Sequence, residues 1–200
     1  MIIAVEGIDG AGKNTLVVAL RDALGADTLS FPRYGQSVHA DIARDALHGK
    51  MGDLADSAYG MATIFALDRA GAKELLELYV NDAKRLLILD RYVASNAAYT
   101  VARTGEGSAA QWVHDLEFER LGLPVPDLHV LVDTPPDEAR RRAERREASD
   151  ASRTRDRYER NQRLQHDTFA AYVELAEAGW GSRWVRANEP QTIIQTVATI

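Results

Sequence analysis

The first 24 residues restrict the possible folds more than any other part of the chain. Residues 2–15 read IIAVEGIDGAGKNT, an apolar run that enters a glycine-rich turn containing a lysine, and the helix-like segment LVVALRDAL follows. The spacing G-x-x-x-x-G-K between Gly7 and Lys13 is typical of a phosphate-binding loop between a strand and a helix. Glycines let backbone N–H groups surround phosphate oxygens, and the helix start and the lysine add positive charge. We therefore predict a polyphosphate site at Gly7, Ile8, Asp9, Gly10, Ala11, Gly12, Lys13, Asn14 and Thr15.

Composition narrows the class of protein further. The 200 residues suit one domain, and an apolar fraction of 46% is ample for a core. A net charge of −6 argues against general nucleic-acid binding, and the absence of cysteine excludes disulfides and thiolate metal sites. Because no apolar run approaches the length of a membrane span and the chain opens with a strand, we expect a cytoplasmic protein that binds neither membrane nor nucleic acid.

Apolar runs alternate with helical patterns along the chain. Such alternation is typical of a parallel sheet covered by helices on both faces, here a three-layer α/β fold with five strands. The predicted strands are Ile2–Glu6, Thr28–Phe31, Arg85–Asp90, Leu128–Asp133 and Arg183–Arg186. The helical stretches are Lys13–Leu24, Ser37–Val80, Ala94–Leu121 and Glu138–Ala178, with breaks at Gly49 and Gly52, at Gly105 and Gly107, and at residues 149–152. Met61, Ile64, Phe65 and Leu67 predict one apolar, central helix.

A second informative string, LLILDRY, ends the third predicted strand with Asp90 and Arg91. Open α/β sheets bind ligands at the carboxyl ends of their strands. A carboxylate there can hold metal-bound water, and an arginine can bind a phosphate with two parallel hydrogen bonds. The alternative is a surface salt bridge, which the loop on the first strand makes the weaker interpretation.

Arginines stand out in two further places. Arg33 follows the second strand in SFPRYGQS and could point toward phosphates, although a lone loop arginine is usually only solvated. Ten arginines against five acids lie between Arg140 and Arg163. On physical grounds alone, this segment fits equally well a solvated helical surface and a lid, at residues 140–156, that closes over a triphosphate.

Five strings together resemble the thymidylate kinase family, in particular its actinobacterial, mycobacterial-like members: GIDGAGKNT, FPRYGQS, FALDRA, DRYVASNAAY and RTRDRYE. The resemblance runs in order from Ile2 to about Trp184 and so covers nearly the whole chain. It implies a nucleoside monophosphate kinase-like P-loop fold and transfer of the γ-phosphoryl group of ATP to dTMP, with Mg²⁺ as cofactor. It also implies a homodimer, and the apolar segments Ala55–Leu67 and Trp112–Leu121 fit either such an interface or a monomer core.

The resemblance assigns a role to each matching residue. Phe65 would stack on thymine, Arg69 would donate to its 4-oxo group, and Asn96 would contact the neighbouring edge. Tyr99 would exclude a ribose 2′-hydroxyl, while Tyr34 and Arg91 would bind the monophosphate. The full set implied for dTMP is Asp9, Phe31, Tyr34, Phe65, Arg69, Arg91, Asn96, Tyr99 and Tyr158. Alternatively, Phe65 and Tyr99 are core residues at helical spacing, which is the more common role of aromatic side chains.

Two departures from common P-loop kinases bear on catalysis. Asn14 stands where a hydroxyl usually binds magnesium, so either Thr15 helps or the metal lies nearer the monophosphate with Asp9, Asp90 and Glu159. Gly10 stands where some thymidylate kinases carry a catalytic arginine, which leaves that role to the lid. The implied catalytic set is Lys13, Arg33, Asp90, Arg91, Arg146, Arg153 and Arg155.

Other functions remain possible at this point. The nearest is a P-loop kinase for another nucleotide or nucleoside. A nucleotide-dependent switch is less well supported, because the chain contains no N-K-x-D string and the third strand ends D-R-Y-V rather than D-x-x-G. An inactive scaffold is disfavoured because the expected charged positions are filled, apart from that of Asn14.

Overall fold

Five parallel strands form one sheet, in the spatial order β2-β3-β1-β4-β5. The structure is a computed structural model that describes residues 1–80, 82, 84–149 and 155–199. The predicted strands are confirmed, each to within two residues at either end. Their bounds are β1 Ile2–Glu6, β2 Asp27–Ser30, β3 Leu87–Asp90, β4 Leu128–Leu131 and β5 Arg183–Arg186. The side chains of β1, β3 and β4 are almost entirely buried, whereas the edge strands β2 and β5 are largely exposed or partly buried.

Helices cover the sheet. The first begins at Lys13 as predicted, and Gly25 ends it in the left-handed conformation that L-residues avoid. The α-helices are α1 Lys13–Leu24, α2 Val38–Leu47, α3 Ala58–Ala70, α4 Lys73–Glu77, α5 Val93–Thr104, α6 Ser108–His114, α7 Pro136–Ser149, α8 Arg157–Arg160, α9 Gln162–Glu177 and α10 Pro190–Val197. A 3₁₀ turn spans Leu54–Asp56, and a π-helical turn, Asp115–Arg120, continues α6.

The breaks predicted inside the long helical stretches are confirmed at the glycines. Gly49 and Gly52 have positive φ between α2 and α3, and Gly105 does so between α5 and α6. Residues 149–152 lie outside the described part of the chain except Ser149, where α7 ends. Helix α10 was not predicted, although Pro190 at its first turn is a typical start signal.

Two apolar clusters organise the interior. The larger surrounds β1, β3 and β4, whose side chains are almost entirely buried. The smaller joins α2, α3, α8 and α9 beside the sheet and includes Leu47, Met61 and Tyr158, with Phe65 packed against it. The prediction of a central apolar helix is wrong in this respect: α3 belongs to the smaller cluster, and Leu67 is 37% exposed.

The sheet brings two informative strings together. Strands β1 and β3 are neighbours, with Val5 opposite Asp90 in register. The chain then leaves β1 into the glycine-rich loop and leaves β3 into Arg91. Because parallel strands present their carboxyl ends at one edge, the loop and the DRY string face the same crevice.

Candidate active site

The glycine-rich loop has the backbone that a phosphate cradle needs. Gly7, Gly10 and Gly12 all have positive φ, and no side chain caps the amides at the start of α1. Lys13 is buried, and its Nζ donates to the carbonyl oxygen of Ile8 at 2.8 Å, so the lysine folds back over the loop. Burial lowers the pKa of Lys13 to about 8, against the opposing influence of nearby acids, including Asp9 and Asp90. The loop therefore combines a helix start that no side chain caps with a lysine charge.

Helix α7 lies directly on this loop. A Cβ built on Gly10 would stand 2.2 Å from the carbonyl oxygen of Ala139, so only glycine fits there. The carbonyl oxygen of Ala11 accepts hydrogen bonds from Thr134 Oγ1 at 2.9 Å and Arg142 Nη1 at 3.1 Å. The first half of the predicted lid is thus attached to the phosphate loop.

Arg91 links the two strand ends. It is the one non-glycine residue with positive φ among those described, at 67°, a conformation that costs roughly 1–2 kcal/mol. From it the guanidinium reaches across to β1: Nη1 donates to the carbonyl oxygen of Gly7 at 2.9 Å, and Nη2 is paired with Asp9. The strained backbone conformation of Arg91 therefore places its guanidinium between the glycine-rich loop and the crevice.

Asp9 is the most heavily engaged carboxylate of the loop. Besides Arg91, it accepts from Tyr99 Oη at 2.7 Å and Gln165 Nε2 at 3.2 Å. Burial alone would raise its pKa, but the charges of Arg91 and Lys13 and these hydrogen bonds lower the pKa of Asp9 to about 2. Asp9 is consequently a carboxylate anion at neutral pH.

A cavity of about 230 Å³ begins at Asp9 and Arg91 and runs between α3 and α5. All nine residues that the resemblance implies for dTMP belong to its lining. The lining includes Asp9, Phe31, Tyr34, Phe65, Arg69, Arg91, Asn96, Tyr99, Tyr158 and Glu159. The structure thus collects the whole predicted set in one concave, partly apolar space of the kind that binds small molecules.

The far end of the cavity carries a polar cluster. Arg69 forms two hydrogen bonds with Glu117, Nε to Oε2 at 2.5 Å and Nη2 to Oε1 at 2.7 Å. Asn96 Nδ2 donates to Glu117 Oε1 at 2.7 Å and to the carbonyl oxygen of Ala62 at 2.9 Å. All three side chains are buried, and Phe65 lies beside them in the lining.

Aromatic rings form one wall of the cavity. Tyr99 and Tyr158 stack with their ring centroids 5.9 Å apart, and the guanidinium of Arg103 lies 5.0 Å from the centroid of Tyr158. Phe31 is buried, whereas Tyr34 is 40% exposed at the opening. Phe65 and Tyr99 line the cavity and also touch the smaller apolar cluster, so both interpretations made from the sequence apply to them.

The structure does not bring Arg33 to the phosphate loop. Its Nε donates to Asp68 Oδ1 at 2.9 Å, its backbone N–H donates to Oδ2 of the same carboxylate at 3.0 Å, and Nη2 donates to the carbonyl oxygen of Asp68 at 2.5 Å. Since Asp68 is completely buried in α3, the arginine fastens the loop after β2 to that helix. In this conformation Arg33 is a structural anchor rather than a phosphate ligand.

Two of the predicted lid arginines are paired with acids. Arg146 Nη2 donates to Glu159 Oε1 at 3.2 Å, and Arg155 Nε donates to Glu147 Oε2 at 2.8 Å. Arg153 lies outside the described residues. The first pair stands at the cavity opening, where Glu159 belongs to the lining.

The carboxylates near the opening have the chemistry of a magnesium site. Burial, followed by the charges of Asp9 and Asp156, raises the pKa of Glu159. Oxygen ligands of this kind suit Mg²⁺. Asn14 and Thr15 are both exposed on the first turn of α1. Over the described residues, Asp9, Asp90 and Glu159 do not place three carboxylate oxygens within 4.8 Å of one another.

Comparison with known proteins identifies the class of enzyme. The family model for thymidylate kinase matches residues 5–197. The chain belongs to the thymidylate kinase family. This confirms the resemblance, and with it an α/β P-loop enzyme that phosphorylates dTMP to dTDP with ATP.

Individual relatives support the same assignment. The thymidylate kinase of Mycobacterium tuberculosis is 54% identical over 193 residues, which cover 92% of this chain and 90% of that protein. A probable thymidylate kinase of Archaeoglobus fulgidus is 30% identical over 160 residues, covering 73% of this chain and 70% of that protein. A solved thymidylate kinase structure from Candida albicans has a TM-score of 0.70 and 20% identity, covers 99% of this chain and 89% of that chain, and shows the shared fold.

Three residues of this thymidylate kinase site were not predicted from the sequence. Glu6 is fully buried at the end of β1 and accepts a hydrogen bond from Ser95 Oγ at 2.6 Å. Its position as a charged residue at the end of an apolar strand is a sequence signal that could have identified it. Gln165 and Glu117 come from α9 and the π-helical turn, and no local pattern marks them.

In the described part of the chain, no helix has both the length and the apolar character needed to cross a bilayer.

Proposed function

We propose that the cavity binds dTMP with its base between Phe65 and the buried Arg69–Asn96 end and its phosphate toward Arg91. The phosphate loop then holds the ATP phosphates on the other side of Arg91. The observation that supports this arrangement is a single cavity that connects a base-sized, hydrogen-bonding end with the cation beside the phosphate loop. Donor and acceptor phosphates would meet at the carboxyl ends of β1 and β3.

The reaction needs no covalent enzyme intermediate. One oxygen of the dTMP phosphate attacks the γ-phosphorus of ATP in line, and ADP leaves. Both reactants are anions, so the protein must hold them together while offsetting their repulsion. Lys13 and Arg91 supply fixed positive charge from within the crevice, and the lid arginines, Arg146, Arg153 and Arg155, would add charge when ATP is bound.

Base selection follows from hydrogen-bond polarity. An arginine donor at Arg69 suits the 4-oxo group of thymine and disfavours the amino group that cytosine carries at the same position. Tyr99, held by Asp9 at 2.7 Å, stands where the resemblance places the sugar 2′ carbon. A ribose hydroxyl would compete with that ring for space.

Magnesium fits the acidic mouth of the cavity. Asp9 and Glu159 would hold it, with Asp90 near the loop lysine, and Asn14 would not be needed as a ligand. When bound, the ion neutralises phosphate charge and orients the phosphate oxygens. Carboxylate oxygens at the opening are ligands of the kind that Mg²⁺ prefers.

The assembly and location of the enzyme are also proposed. Tyr59 and Leu67 are 38% and 37% exposed on α3, and Leu75 and Leu78 are 44% and 54% exposed just beyond it. Apolar side chains on consecutive elements suit a homodimer interface. Sedimentation of the wild-type protein and of the Leu67→Glu variant would test the dimer. We expect the wild type to sediment as a dimer and the variant as a monomer. We also propose that the enzyme is cytoplasmic.

A panel of acceptors tests the substrate assignment. Turnover with ATP and Mg²⁺ is measured on dTMP, dUMP, dCMP, dAMP, dGMP and thymidine, at matched concentrations. We expect dTMP to have the highest kcat/KM. Preference for another monophosphate, or for free thymidine, would favour the alternative of a related kinase with a different acceptor.

A further inference from the structure

The buried carboxylate of Glu117 contacts both residues that face the base. Its Oε1 accepts from Asn96 Nδ2 and from Arg69 Nη2, each at 2.7 Å, and its Oε2 accepts from Arg69 Nε at 2.5 Å. Glu117 has no exposed surface, and Arg69 is 3% exposed. A buried ion pair of this kind is a poor source of net stability, because removing two charges from water is costly. What it does supply is a fixed geometry for the groups around it.

That geometry determines which atom Asn96 presents to the cavity. Both N–H bonds of its amide are used, one by Glu117 and one by the carbonyl oxygen of Ala62 at 2.9 Å. No described residue donates a hydrogen bond to Asn96 Oδ1, and Asn96 is part of the cavity lining. An amide can rotate by half a turn at little cost unless its partners forbid it. Here two acceptors, Glu117 Oε1 and Ala62 O, oblige the amide to direct its nitrogen toward them.

The same carboxylate fixes Arg69. Two parallel hydrogen bonds determine the plane and the rotation of the guanidinium, and leave Nη1 as the terminal nitrogen that Glu117 does not use. Glu117 also neutralises the arginine charge, so Arg69 can act as a donor toward an uncharged base. The cavity therefore presents one donor and one acceptor side by side.

We infer that Glu117 is a positioning residue that sets the hydrogen-bond polarity of the base site, so that it accepts a pyrimidine with N3–H and a 4-oxo group. Thymine and uracil offer that donor–acceptor pair, whereas cytosine offers the reverse, an N3 acceptor and a 4-amino donor. This inference rests on the proposed placement of dTMP. It adds a residue that contacts no substrate and acts only through Arg69 and Asn96.

Replacing the carboxylate by an amide tests the inference. In Glu117→Gln, the new side chain can donate to Asn96 Oδ1, so the Asn96 amide can turn its nitrogen toward the base. We expect the ratio of kcat/KM for dTMP to that for dCMP to fall about tenfold or more, mainly through a higher KM for dTMP. The KM for ATP should change less than about twofold, because the phosphate loop is not involved.

Glu119→Gln is the matched control. It makes the same chemical change two residues further along the same π-helical turn, at a side chain that is 65% exposed. We expect its dTMP/dCMP ratio to equal that of the wild type. If Glu117→Gln lowers activity on all acceptors in proportion and leaves the ratio unchanged, its role is structural and the inference is overturned.

Two further measurements keep the outcomes distinct. If Glu117→Gln does not fold, Glu117→Asp retains the charge but is too short for all three hydrogen bonds, and a fall in the dTMP/dCMP ratio is again expected. An unchanged ratio in a folded Glu117→Asp would also overturn the inference. The wild-type ratio is measured in the same series: a wild type that does not prefer dTMP would refute the proposed function itself, whereas a selective wild type and an equally selective variant would refute only the role of Glu117.

Discussion

The carbonyl oxygen of Ala139 occupies the space that any side chain on Gly10 would enter, 2.2 Å from a Cβ built there. This contact explains the composition of the phosphate loop. An arginine at position 10 would displace the first turns of α7. The loop can therefore bring α7 this close only because position 10 carries no side chain.

The first prediction concerns this contact. Gly10→Ala should lower the free energy of unfolding by about 3 kcal/mol or more, because it adds an overpacking clash to the cost of a positive φ. Gly35→Ala is the control, since Gly35 has a similar φ, 76° against 79°, with nothing within 4 Å of its Cβ position. Chemical denaturation should give a loss of only about 1–2 kcal/mol for the control. Equal losses would show that α7 yields to the extra methyl group.

The second prediction concerns the loop lysine. Lys13→Ala should lower kcat by a factor of about 10² or more, since a fixed charge is lost at the transferring phosphoryl group. Binding of dTMP, followed by calorimetry, should stay near the wild-type value because Lys13 does not line the cavity. Arg21→Ala, on the exposed part of the same helix, serves as the control for α1. Near-normal turnover of the Lys13 variant would exclude this role.

The third prediction separates the two possible magnesium sites. Glu159→Gln should raise the Mg²⁺ concentration needed for half-maximal activity by about tenfold, as expected for the loss of a charged oxygen ligand. Asn14→Ala should leave that concentration within about twofold, since an exposed neutral amide is a weak ligand. The measurement is a Mg²⁺ titration at saturating ATP and dTMP. A large shift for Asn14→Ala alone would place the metal on the loop helix instead.

The fourth prediction concerns acid stability. His129 is fully buried against Trp184, with ring centroids 4.4 Å apart, and burial lowers its pKa to about 3. In the unfolded chain its pKa is about 6.5, so below that pH the unfolded state binds a proton that the folded state does not. Stability should therefore fall with decreasing pH, by about 2 kcal/mol between pH 6.5 and pH 5.

Comparison of two variants isolates that contribution. His129→Gln should lack this part of the pH dependence, whereas His166→Gln, at an exposed position, should retain it. Urea denaturation across the same pH range measures the difference between the two slopes. Parallel slopes would mean that acid sensitivity arises elsewhere in the protein.

Much of the fold could be read from local patterns. The start of α1 at Lys13, the strand Ile2–Glu6 and the glycine breaks all depend on neighbouring residues, and each was predicted correctly. Helix α3 shows the limit of this reasoning, because its apolar residues were assigned to the centre while Leu67 is exposed. Periodicity reports that a helix has an apolar face, but not which cluster that face joins.

In the candidate site, too, some residues could be predicted from local sequence and others only from the tertiary fold. Residues that carry a motif, such as Lys13 and Arg91, were found from the sequence. Arg33 was expected at the phosphates and is paired with Asp68, since its partner is determined by how α3 packs beside the loop. Glu117 lies 21 residues from Asn96 and 48 from Arg69, and only the tertiary fold brings the three together.

The π-helical turn that carries Glu117 has one further consequence. A π-helical turn contains one residue more than an α-helical turn over the same rise, and such turns are often found at functional sites. Removing Leu116 would rewind the segment and rotate Glu117 relative to α6 by about 100°, one α-helical step, away from its partners. The number of residues in this turn, and not only their identity, therefore belongs to the information that selects the nucleobase.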